Sequence, residues 1–211
     1  MDIQSAAKKQ GDRSNYIKNE QVSVYPDTTV WIRDFNYSYN EPMHNDYFWH
    51  SAFDDYPVVG VSWKQARAFT QWRTKYHNDF RREKGDANVP SYRLPTEGEW
   101  EYAARSNQDS LYSGGDELSD VGWYYDNSAE QSHPVCQKAP NAFGLHDMTG
   151  NVWEWCWDSW DEQPYSNDSA ALTHNSMCQS VGMKRITRGG SWYDSPQSSR
   201  ITHRLAGDVL Y

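Results

Sequence analysis

Chemistry needs nucleophiles, bases or metal ligands at defined spacing. The three cysteines, Cys136, Cys156 and Cys178, form no CxxC. An odd count excludes a fully paired disulfide framework within one chain. Two readings remain: three free or buried thiols, or one disulfide and a spare thiol. The seven histidines are scattered, with no HxxxH or HExxH. His44 and His50 share an aromatic stretch and could share a site; surface or hydrogen-bonded histidines are the plainer reading. His203 stands beside Arg200 and Arg204, where it could meet an anion or simply lie at the surface. Ser191, in GGSW, has no His base nearby in sequence, and no GxSxG, P-loop or dinucleotide fingerprint occurs.

The elements that position these groups must come from an unusual composition. The chain has 211 residues, enough for one large domain or a domain with a tail. Apolar residues make up only 37%, but 11 Trp, 15 Tyr and 6 Phe supply large buried areas. An aromatic core wrapped in polar loops follows. No apolar run approaches the roughly 20 residues that cross a bilayer, and no secretory h-region or lipidation signal follows Met1. The net charge of -9 argues against nucleic acid as partner. The local basic stretch Arg73, Lys75, Arg81, Arg82, Lys84 reads as a solvated helix end.

Residues 1–24 are polar and aperiodic, a tail or the end of a preceding helix. Thr28 to Phe35 (TTVWIRDF) is β-branched and aromatic, which predicts a strand. Two helices carry capping boxes: Ser62 with Gln65, and Thr96 with Glu99. In the first helix Ala66, Phe69 and Arg73 share a side, with Trp72 near its edge. In the second, Trp100, Ala103 and Ala104 form a buried stripe. NVWEWCWD alternates with period two, a strand, and RITRGGSW is the last strand candidate. The order predicts an α+β domain, with two helices on a small antiparallel sheet and much irregular structure.

PVVGVSW, RLPTEGEWEYAAR, NAFGLHDMTGNVWEW and RITRGGSW stand in this order and resemble the successive signature blocks of the formylglycine-generating-enzyme, or sulfatase-modifying-factor, family. The resemblance covers roughly residues 25–192 and implies a C-type-lectin-like fold. DTTVWIRDFNYSYNEPMHNDYFWHSAFDDYPVVGVSWKQA further resembles gliding-motility and type IX secretion lipoproteins of the K and J kind. Members commonly close with a Gly-Phe-Arg strand soon after GGSW. Here SPQSSRITHRLAGDVLY follows, so a domain over 25–211 short of that strand is the expectation.

The resemblance also implies sites. Copper-binding thiolates of the family would fall at Asp194 and Ser199, so no copper and no formylglycine chemistry are expected; soft thiolates suit Cu(I) and these residues do not. The iron site of related sulfoxide synthases draws partly on an added helical domain for which this sequence has no counterpart. The family's Ca²⁺ loop corresponds to LHDMTGNVWEW, with Asp147 and Glu154 as carboxylates and Gly150 and Val152 as carbonyls. The competing reading is a turn that positions Trp153 and Trp155. No second ion is expected near Gly122–Tyr125. Apart from the resemblance, the rings of the aromatic loop Tyr37–Phe53 read either as an interaction surface, with Tyr47 and Trp49 as the candidate anchors, or as core, with about half of them buried.

The expected function is a non-catalytic scaffold domain with a protein partner in a ring-like envelope assembly. It would sit in the bacterial periplasm, at the outer membrane only through a lipid anchor not present in this sequence. The alternatives are a metal-dependent oxygenase of the wider family and a lectin-like ligand-binding module using Tyr193, Asp194, Gln197 and Arg200.

Overall fold

The computed structural model describes residues 21–35, 41–162 and 184–209. Its elements are α1 (Val30–Asp34), α2 (Pro42–Asp46), a 3-10 turn (Ser51–Phe53), α3 (Trp63–Glu83), α4 (Glu97–Arg105), α5 (Leu118–Val121), β1 (Glu154–Ser159), β2 (Lys184–Arg188) and β3 (Leu205–Asp208). The strands form one antiparallel sheet in the order β1-β2-β3. Glu154 lies opposite Arg188 and Trp155 opposite Thr187, and the register then slips before Ser159 meets Arg185. Most of the remaining described chain is loop, as expected of an aromatic, aliphatic-poor α+β domain.

The strand predicted over Thr28–Phe35 is instead helical at Val30–Asp34. The Asp27 carboxylate accepts from the Thr29 amide at 2.9 Å and from its hydroxyl at 2.6 Å, which turns the chain. One helical turn then brings Trp31 and Phe35, four residues apart, onto Trp192. Burial of two rings on a third outweighs the β preference of Thr, Val and Ile.

Both capping boxes form, at Ser62 with Gln65 and at Thr96 with Glu99. Trp63, on the first turn of α3, is buried, and its indole N–H donates to the Cys156 carbonyl in β1 at 2.9 Å. The rest of the inward face of α3 is polar. Thr74 Oγ1 accepts from the Tyr92 amide at 2.8 Å, and Asn78 both accepts from and donates to the Val89 backbone. Phe69 and Trp72 point outward and are exposed.

α4 lies on the sheet as its stripe predicts. Trp100 and Ala104 pack with Met148, Cys156, Ile186 and Ile201 in one core, with Ala103 at its edge. Trp31, Tyr47 and Trp192 centre a second, mainly aromatic core joined by Phe35, Phe48, Phe53 and Tyr56, with Val30, Met43, Val59 and Val152 at its edge. The RITRGGSW candidate is strand only through Arg188; Gly189 and Gly190 then turn the chain with φ of 95° and 78°. β3 pairs with β2 over four positions, from Lys184 opposite Asp208 to Thr187 opposite Leu205.

Arg188 anchors the sheet to α4. Its side chain is fully buried and donates to Glu101 at 2.6 Å, to the Ile201 carbonyl at 2.7 Å and to the His203 carbonyl at 3.0 Å. Glu97 lies 3.3 Å away and also holds Arg204. A buried guanidinium persists only with such company.

Candidate functional site

The Asp147–Glu154 loop bends sharply. Asp147, Gly150 and Asn151 all take left-handed backbone, with φ of 57°, 71° and 60°. Gly150 has no substitute: a Cβ there would stand 2.0 Å from the Trp123 carbonyl oxygen. The loop is laced in place by Asn151, whose side chain accepts from the His133 amide and donates to the His133 carbonyl, both at 3.1 Å. The Trp192 amide donates to the Asn151 carbonyl at 2.9 Å.

Two carboxylates close this loop. Asp147 accepts from the Cys136 amide at 2.7 Å and from the Asn151 amide group at 3.3 Å. Glu154 is half-buried and takes one hydrogen bond, from the Trp100 indole at 2.5 Å. Burial pushes its carboxyl up to about 7, and the charge of Asp147 adds to the rise. Among the described residues neither carboxylate has an ion-pair partner, and no three His, Cys, Asp or Glu side chains form a metal cluster. Two half-buried carboxylates on one bent loop, with the backbone carbonyls of Gly150 and Val152 along the same segment, are all oxygen donors, the kind a hard cation such as Ca²⁺ takes.

The GGSW turn builds the second part. Ser191 Oγ hydrogen-bonds to the Asp194 carboxylate, and the Trp153 indole donates to the same oxygen at 2.9 Å. The Tyr125 amide donates to the Asp194 carbonyl at 3.1 Å. Ser199 is fully buried, and among the described residues its hydroxyl has no hydrogen-bond partner. It sits against Gly190, where a Cβ would lie 2.7 Å from Ser199 Oγ. The donors at 194 and 199 are thus a carboxylate engaged by two hydrogen bonds and a sealed hydroxyl. They do not fit Cu(I), which wants soft thiolates. His203 is half-buried, with its ring 5.9 Å from Trp153; burial lowers its pKa while Asp194 opposes the shift. Tyr193, Gln197 and Arg200 are exposed around this turn.

The candidate anchors separate. Tyr47 is 7% exposed and donates its hydroxyl to the Pro57 carbonyl at 2.6 Å; burial pushes the phenol up to about 12. Trp49 is 63% exposed and stacks on Tyr25 at 5.9 Å. Tyr37 and Tyr39 lie outside the described residues. His44 and His50 serve the backbone. His44 Nε2 bonds to the Trp31 and Phe35 carbonyls, and His50 Nδ1 accepts from the Ala52 amide. Cys136 is an exposed and Cys156 a buried free thiol; Cys178 lies outside the described residues.

Sequence reasoning missed the Arg188 cluster. Glu97 and Glu101, four residues apart on α4, were the available signal, since two acids on one helix face call for a cation. It also missed that Asp194 is held by Ser191, although the Ser-x-x-Asp spacing favours a local bond.

Known proteins share this sequence pattern and fold. The chain is 34% identical over 153 residues to a formylglycine-generating enzyme of Thermomonospora curvata, covering 65% of this chain and 45% of that protein. It is 34% identical over 132 residues to the chaperone protein LppX of Paenibacillus barcinonensis, covering 53% and 42%. The chain thus spans under half the length of these curated relatives. Among solved structures, Treponema denticola variable protein 1 superposes with a TM-score of 0.62 at 29% identity, over 75% of this chain and 68% of that one. The model of the sulfatase-modifying factor enzyme 1-like domain matches residues 6–209, and the chain belongs to that family.

Proposed function

We propose that this chain is a non-catalytic interaction domain, a scaffold within a bacterial envelope assembly, that holds one structural Ca²⁺. The single observation that carries the reading is the state of positions 194 and 199. The Asp194 carboxylate is occupied by Ser191 and Trp153, and Ser199 is closed off beneath Gly190. With that chemistry unsupported, the exposed Trp49 and its neighbour Tyr25 become the surface through which the domain would act. The resemblance of the first half to type IX secretion lipoproteins suggests the setting: periplasmic, beside the outer membrane, with a protein partner in a ring-like complex.

Affinity purification of the native protein from envelope extracts tests this. A stoichiometric protein partner, weakened by Trp49→Ala, supports the scaffold. A lone monomer, or turnover of a sulfatase-type cysteine peptide to formylglycine, overturns it.

A second reading is a ligand-binding module. Tyr193, Gln197 and Arg200 are exposed beside the GGSW turn, and the fold is shared with Treponema denticola variable protein 1. Substitution of these three residues that abolishes a ligand contact, with assembly intact, would favour it.

A further inference from the structure

We propose that the outward face of α3 is a docking surface for an anionic lipid bilayer. α3 carries its polarity reversed. Thr74, Asn78 and Arg81 turn toward the domain and hydrogen-bond to the backbone of residues 87–92. Its rings turn away. Phe69, Trp72, Tyr76 and Phe80 recur at spacings of three, four and four residues, so they form one row along the helix. They are 57%, 54%, 55% and 48% exposed. Phe69 lies 5.5 Å from Trp72, and Trp72 stacks on Tyr76 at 5.3 Å. The row is about 16 Å long at 1.5 Å per residue. A surface helix ordinarily keeps its apolar stripe for the core; a contiguous aromatic row on the outside marks a contact surface.

Charge selects the occupant. From Trp63 to Lys84 there are seven basic and two acidic residues, a net of +5 on a chain of -9. Lys84 Nζ lies 4.3 Å from the Phe80 ring and the Arg73 guanidinium 6.0 Å from the Tyr76 ring, so cations border the row. Of the two acids, Asp79 is already engaged by Lys75 and Arg82. Two copies meeting through this helix would oppose like charges. An anionic surface gains from the same arrangement. The row is a ridge, and a planar, yielding phase can reach every ring and both cationic borders together. Trp and Tyr settle at headgroup level, and Lys and Arg stretch to the phosphates above. No described helix is long and apolar enough to cross a membrane, so the mode is lying on the surface.

Co-sedimentation of the full chain with vesicles tests this. One set is pure phosphatidylcholine; the other carries about 30% phosphatidylglycerol. The expected result is sedimentation with the anionic vesicles only, weakened about tenfold or more as salt rises from about 50 to 300 mM. Trp72→Ser with Phe80→Ser, and separately Arg73→Glu with Lys84→Glu, should each weaken it about tenfold or more while the melting temperature holds. Should the ring variant fold poorly, the charge variant decides alone. No sedimentation of the wild type with anionic vesicles overturns the proposal, as does undiminished sedimentation of the folded variants. Variants that shed a protein partner without any vesicle binding in the wild type overturn it in favour of a protein interface. The scaffold reading is judged apart from this, by Trp49→Ala in the envelope pull-down.

Discussion

Tyr47 and Trp49 are two residues apart, yet Tyr47 is buried with its hydroxyl on the Pro57 carbonyl and Trp49 is 63% exposed against Tyr25. Their substitutions therefore read different things. Tyr47→Ala empties an aromatic core and is expected to cost about 3–5 kcal/mol of stability. Trp49→Ala is expected to stay within about 0.5 kcal/mol of wild type in denaturant titration and to weaken partner binding by about 2 kcal/mol or more. Equal behaviour of the two variants in both assays would remove the distinction.

The Asp147–Glu154 loop gives a calcium prediction. Chelator should lower the melting temperature, and added Ca²⁺ should restore it by mass action, by about 2.7 kcal/mol at a hundred times the dissociation constant. Asp147→Ala should abolish the response. A melting curve indifferent to chelator and ion leaves the loop as a turn alone.

Acid stability should register Glu99. The paired hydrogen bonds from Arg93, and then the Thr96 amide, hold its carboxyl down to about 2 from an ordinary 4.5. The ionised form is favoured in the folded state, so the stabilisation is complete above about 4.5 and is lost as pH falls toward 2. Both side chains are more than one-third exposed, so solvent screening keeps the contribution to about 1 kcal/mol or less. Glu99→Gln should flatten the stability profile across that window. An unchanged acid limb would count against the pair.

Metal competition tests the GGSW turn. The protein should lose Cu(I) to a moderate thiol chelator, because Asp194 and Ser199 offer only oxygen. Retained Cu(I) that disappears on Asp194→Ala would contradict this.

Ser199 offers a sharper structural test. Its buried hydroxyl has no partner among the described residues, so Ser199→Ala should equal or exceed wild-type stability; an unmet hydroxyl costs about 1–3 kcal/mol. Gly190→Ala should do the reverse. Its Cβ would press on Ser199 at 2.7 Å, from a backbone with φ of 78°. Thermal melts of the two variants should move in opposite directions.

Local chemistry was legible in the sequence. Both capping boxes are contacts between residues three apart, and both form as read. The period-two run became β1 from Glu154 onward, with Trp155 and Trp157 in the strand and Asn151–Trp153 in the preceding bend, and the α+β class followed from element order. What failed depended on distant partners. Thr28–Phe35 reads as strand by composition, but Trp192 lies far along the chain and decides for a helix. The period of α3 identifies a helix without saying which side faces in, because here the polar side does. Asp147 and Glu154 were named only through the family blocks; the desolvation that raises the Glu154 carboxyl, and the nearness of Asp147 to it, come from folding. Tyr47 and Trp49 looked alike because residue type carries no burial.

Arg188 also fixes when the domain can finish folding. Its acidic partner Glu101 is 87 residues earlier and its carbonyl partners lie at Ile201–His203. Trp63 reaches Cys156 across 93 residues, and Arg204 reaches Glu97 across 107. Closing such wide loops must precede the contacts that reward them, which places refolding toward the slow, millisecond-to-second end for domains of this size. During synthesis α4 emerges with Glu101 held only by Arg105 of the same helix and Glu97 still without Arg188 and Arg204, and those guanidinium groups arrive only after most of the domain has been made. Until residue 203 has left the ribosome, the central salt cluster is incomplete, so the nascent chain passes through a long, aromatic-rich stage that holdase chaperones are suited to shield.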